Sequence, residues 1–226
     1  MKILQETEKR LELYSRIEVD ITTYIPENPE SVILLLHGLS EKGKRIYRKL
    51  ISYLPQNAII LAPNAPFPIQ RESAFGTSYG FTWYFYNMKE RSYFIDQTTA
   101  RYTLKEILKT YNPTALPLTI IGFSQGGYLA PLVGMDHQNT KLVLGLGCEF
   151  RETLIKEKIS FPLVGIHGED DDIISPESSF ASFEKVKHFS PHAEWLRVPN
   201  TKHEINAIMG EKVSNILEKF HGERSL

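Results

Sequence analysis

The sequence predicts an α/β protein with a mostly parallel central sheet and helices on both faces. Three observations predict it. Short runs such as 31–37 are almost continuously apolar, the signature of strands buried on both faces. Stretches of helical spacing separate those runs, and this alternation implies parallel strands joined by crossover helices. No internal repeat, low-complexity segment or Gly/Ser linker interrupts the pattern. The 226 residues suffice for one large domain and are short for two.

In chain order, 17–24 alternates apolar and polar residues, which suggests an antiparallel or edge strand. The run 31–37 is a buried strand. Helical spacing covers 41–54 and is closed by Pro55. Residues 57–62 form the next buried strand, ended by Pro63. From 93 to 111 the spacing is helical, with Leu104, Ile107, Leu108 and Tyr111 on one face. Strands are expected at 118–122, 141–146, 162–167 and 194–198. Helices are expected at 125–135, at 176–188 with its proline at the start, and at 204–220.

Hydrophobic residues make up 42% and charged residues 23%, the balance of an ordinary soluble globular protein. The formal net charge of −1 leaves no basic excess for a nucleic-acid backbone or an anionic membrane. The only cysteine, Cys148, rules out an internal disulfide. Residues 1–10 lack the apolar stretch of a secretory signal, and no run approaches the roughly 18 residues of a membrane span. A cytoplasmic protein without stable membrane insertion is the expectation.

In an open parallel sheet, chemistry gathers at the carboxyl ends of the strands. After 118–121 stands Gly122-Phe123-Ser124-Gln125-Gly126, a G-x-S-x-G motif at a strand-to-helix turn. The turn exposes the serine hydroxyl, and larger side chains two positions either side would collide. A helix N-terminus there favours developing negative charge. A serine needs a base, and in this arrangement an acid and then a histidine follow it in the chain. The loop after 162–167 carries four acids, Glu169, Asp170, Asp171 and Asp172; a solvated acidic loop or a divalent-cation site would read the same way. Of the seven histidines, only His203 follows the last strand on a loop entering the last helix. The amides of Gln125 and Leu39 are the expected oxyanion-hole donors.

Residues 38–45 nearly spell a phosphate-binding loop, G-x-x-x-x-G-K. Arg45 stands where a magnesium-binding hydroxyl would be required, so nucleotide binding is not expected. Ten aromatic residues lie between Phe67 and Phe94. Prolines and glycines among them argue against one long regular element. The segment at about 64–93 reads equally as a loop or lid walling an acyl pocket and as rings closing the core. Trp83, Phe85 and Ile174 are the candidate substrate-binding residues.

These motifs resemble those of the phospholipase/carboxylesterase family of small α/β-hydrolases, which includes the acyl-protein thioesterases. Leu36-His37-Gly38-Leu39-Ser40, the 61–66 segment (LAPNAP), Trp83-Tyr84-Phe85 and the block 122–127 carry the resemblance. His167-Gly168-Glu169-Asp170-Asp171 is similar to the family's H-G-x-x-D, and that register selects Asp171 as the acid. Lys202 before His203, and Gly147-Cys148 after 141–146, depart from the family pattern. The resemblance implies the α/β-hydrolase fold and a Ser124–His203–Asp171 triad. It also implies hydrolysis of short- to medium-chain carboxylic esters or thioesters through an acyl-enzyme, with no cofactor or metal. The partner would be a small-molecule substrate and not nucleic acid; homodimers occur in the family. A non-catalytic ligand-binding protein of the same fold, or a hydrolase of peptides or lactones, is the alternative.

Overall fold

The computed structural model describes residues 17–73, 76–87 and 89–221. The expectation for residues 1–10 and one of the ten aromatics, Phe75, lie outside them.

The chain begins with strand β1 (Ile21–Tyr24), β2 (Ser31–Leu36), helix α1 (Gly43–Leu50) and β3 (Ala58–Pro63). Two hairpins follow: β4 (Phe67–Ser73) with β5 (Gly76–Thr82), and β6 (Phe85–Asn87) with β7 (Ser92–Ile95). Then come α2 (Thr98–Tyr111), β8 (Leu118–Phe123), α3 (Gln125–Met135) and β9 (Thr140–Leu146). The chain continues through β10 (Leu163–Gly168), α4 (Pro176–Val186), β11 (Ala193–Val198) and α5 (Ala207–His221).

Seven strands form the central sheet in the order β1-β3-β2-β8-β9-β10-β11. All neighbours are parallel except β1, which pairs antiparallel with β3 at the edge. The order reverses between β2 and β8, and a crevice opens at the carboxyl ends of strands at such a reversal. The loop after β2 and the turn after β8 therefore meet there.

Even strands without polar residues divide their side chains by a period of two. Val32, Leu34 and Leu36 of β2 face the core that holds α2, α3 and α4. Ile33 and Leu35 face the opposite core, covered by α1 and α5. Both faces are thereby dry, as the apolar runs require.

Four helices differ from expectation at their ends, α4 among them: it stops at Val186 and passes into a 3-10 turn at Lys187–Phe189. Helix α1 tightens after Leu50 into a 3-10 turn at Ile51–Tyr53. The helical spacing from Tyr93 gives way to β7, and α2 begins only at Thr98, whose amide donates to Asp96 Oδ1 at 2.9 Å. Helix α5 begins at Ala207 rather than at residue 204, because Asn206 accepts from the Met209 amide and caps it. The two hairpins of 67–95 were not foreseen as strands. Their rings divide between roles: Trp83 and Tyr84 are buried, Phe67, Phe81, Phe85, Tyr86 and Tyr93 half-buried, and Tyr79 and Phe94 exposed.

Candidate active site

Ser124 stands between β8 and α3 with φ 49° and ψ −118°. This is a left-handed conformation that costs a non-glycine residue roughly 1–3 kcal/mol. The surroundings enforce it. The Ser124 amide donates to Leu146 O at 2.8 Å, and the Ser124 carbonyl accepts from Gly127 and Tyr128. A β-carbon on Gly122 would strike the Gly126 carbonyl, and one on Gly126 would strike the Leu36 carbonyl. Gly122 therefore answers to close backbone packing within the turn, and Gly126 to close packing against β2 and the residue after it.

The structure brings Ser124, His203 and Asp171 together. His203 Nε2 lies 3.0 Å from Ser124 Oγ, and His203 Nδ1 lies 2.8 Å from Asp171 Oδ2. A carboxylate only accepts, so Nδ1 carries the hydrogen and Nε2 is left to accept from the serine hydroxyl. The Phe123 ring packs on the His203 ring at 4.9 Å between centroids. Ser124 and His203 are half-buried, while the Asp171 side chain is fully buried.

Of the four acids in the loop, only Asp171 turns inward; Glu169, Asp170 and Asp172 are exposed. Asp171 Oδ1 accepts the amides of Ile173 and Ile174 at 3.0 and 2.9 Å. Burial disfavours its charged form, but hydrogen bonds from His167, His203 and these two amides outweigh that and hold the carboxyl well below the usual range. Among the described residues, no group of three or more His, Cys, Asp and Glu side chains is placed to hold a metal ion.

The loop after β2 is tied down on three sides. His37 Nδ1 donates to Gly38 O at 2.7 Å, and its Nε2 accepts the Ala65 amide at 3.0 Å. Both contacts together require neutral imidazole, and burial pushes the His37 pKa down to about 4. The Glu41 carboxylate accepts the Gly38 amide at 3.2 Å. The Ser40 amide donates to Phe81 O at 2.8 Å, joining the loop to β5. Neither the Leu39 nor the Gln125 amide donates to an acceptor among the described residues.

The candidate substrate-binding residues hold positions of different kinds. Trp83 is fully buried, and its indole N–H donates to His37 O at 2.9 Å. It stands behind the loop after β2. Phe85 is half-buried and packs on Phe67 at 5.9 Å. Ile174 contributes main chain: its amide to Asp171 and its carbonyl to His167. Sequence reasoning missed the supporting groups. Among them, the Gln125 side chain accepts from Thr82 and the Trp83 amide and donates to Tyr84 O.

The family model described as serine hydrolase (FSH1) matches residues 28–208. No curated protein is similar enough in sequence to match. Among solved structures, esterase PE8 superposes with a TM-score of 0.68 at 19% identity, covering 91% of this chain and 100% of its own. SOBER1 of Arabidopsis thaliana gives 0.66 at 21% identity, covering 84% and 99%. Acyl-protein thioesterase 2 of Zea mays gives 0.68 at 18% identity, covering 90% and 99%. These likenesses show the α/β-hydrolase fold expected from the motifs.

Proposed function

The chain belongs to the FSH1 serine hydrolase family, and from that premise we propose that it cleaves carboxylic esters or thioesters of short to medium acyl chains with Ser124, His203 and Asp171. The observation that carries this reading is the unbroken relay from Ser124 Oγ through the His203 ring to Asp171.

Ser124 Oγ attacks the acyl carbonyl while His203 Nε2 takes its proton. The amides of Leu39 and Gln125 receive the oxyanion. His203 then gives the proton to the departing alcohol or thiol, leaving an acyl group on Ser124. Water, deprotonated by the same imidazole, releases the acid and restores the serine. Asp171 keeps the imidazole in the required tautomer and stabilises its charged form. The chemistry needs no cofactor. Leu39 is 53% and Ile173 is 71% exposed; the first is a proposed oxyanion donor and the second donates its amide to Asp171, so each is an apolar side chain available to an acyl chain at the site. The segment 64–93 belongs to the same domain, its first hairpin bracing the loop that carries Leu39. The esterase and thioesterase neighbours suggest the bond class.

The test is hydrolysis of p-nitrophenyl acetate by the wild type and by Ser124→Ala. Loss of the nucleophile is expected to lower kcat by several orders of magnitude. Equal rates would remove Ser124 from the mechanism. A panel of esters and thioesters of increasing chain length, with amides beside them, then defines the substrate.

A further inference from the structure

His167 is the penultimate residue of β10, four residues before Asp171, and its side chain is 1% exposed. Its Nε2 lies 3.2 Å from Asp171 Oδ2, the same oxygen that receives His203, and 2.9 Å from Ile174 O. Both neighbours are acceptors, so Nε2 must carry a hydrogen. The other nitrogen, Nδ1, is buried with no partner among the described residues. A proton there would be a buried, unmatched donor on a cation, which is costly. The hydrogen that these contacts call for therefore sits on Nε2. The Trp195 ring stacks beside it at 6.2 Å and 21°. Arg197, its register partner on β11, directs its guanidinium to Glu177 instead.

We infer that His167 is a positioning residue of the catalytic relay: a second imidazole whose Nε2–H is shared between the Ile174 carbonyl and Asp171 Oδ2, the oxygen that receives His203, and which fastens the 168–174 loop to its strand. This rests on the triad proposed above. Sharing has a chemical consequence. A carboxylate oxygen that already accepts one hydrogen bond has less negative charge to offer the second donor. His167 thus tempers how strongly Asp171 stabilises protonated His203, and it locks the carboxylate in the plane that His203 needs. It takes no proton in the reaction.

The experiment compares pH–rate profiles of wild type, His167→Leu and His167→Gln on p-nitrophenyl acetate, with melting temperatures alongside. Leucine removes the donor. Glutamine carries an N–H the same number of bonds from the backbone. The acid limb of kcat/KM is expected to move up by about 0.5–1 pH unit in His167→Leu, the worth of one hydrogen bond. His167→Gln is expected to return it to the wild-type position. An unmoved limb in a folded His167→Leu protein overturns the proposal, and so does a limb displaced equally in both variants, which would assign the effect to packing. Should His167→Leu fail to fold, nitrogen-15 NMR of the wild type decides. A ring whose hydrogen sits on Nε2 supports the proposal, and one whose hydrogen sits on Nδ1 overturns it. That readout does not depend on turnover, so it stands apart from the Ser124→Ala result.

Discussion

The histidines of the site divide by what each ring touches. His203 stands between a hydroxyl and a carboxylate and is placed to exchange a proton. His37 is buried and bonded to main-chain groups on both sides, so it is held neutral. Its folded pKa of about 4 lies below the ordinary 6.5. Between those values the unfolded chain binds the proton and the folded protein does not. Stability is therefore complete above pH 6.5 and declines as pH falls toward 4, by about 3 kcal/mol in all. Calorimetry should show the melting temperature falling through that window, with a flatter dependence in His37→Gln. Asp171, held below its ordinary range, adds its loss only below about pH 4. Ser124 and His203 were legible in the sequence from motif and order. The duties of His37 and His167 were not, because their partners are carbonyls, amides and a carboxylate that only folding delivers, although both rings stand at strand ends where the site forms.

At the scale of elements, the elbow between β8 and α3 is the most constrained piece. Gly126 lies against the carbonyls of Leu36 and His37. β2 cannot withdraw without breaking its parallel ladder with β8, and the start of α3 is held by the Gly127 and Tyr128 amides on the Ser124 carbonyl. Gly126→Ala should therefore cost roughly 1–3 kcal/mol or more and lower the melting temperature by several degrees; an unchanged melting curve would show that the approach is looser than the structure has it. The main strands and helices were legible because their apolar periods are long and clear. The hairpins of 67–95 were hidden for a physical reason. They are short, rich in aromatics on both faces and interrupted by proline and glycine, so no single period emerges. Their strands pair with each other and stay outside the central sheet, and their contribution to the site passes through contacts such as the bridge of Phe81 with Glu41, Ser40 with Phe81 and Trp83 with His37.

For the molecule as a whole, stability resides in two cores on either side of one sheet, while the candidate site occupies its carboxyl rim. Leu34 is fully buried in mid-strand and faces the core shared with α2 and α3. Leu34→Ala should destabilise by about 2–5 kcal/mol. The urea midpoint should fall with an unchanged slope, and the turnover of the folded fraction should hold; a selective loss of activity would mean that core and rim are not separable. The sequence by itself determined the class of fold, the strand that ends at Ser124, and the order of the candidate serine, acid and histidine, because periodicity and turn chemistry are local. Only the tertiary structure decided which acid is desolvated and bonded, and which partners each histidine of the rim receives. Those properties depend on burial and on hydrogen-bond partners far apart in the chain, which are set when the strands take their places in the sheet.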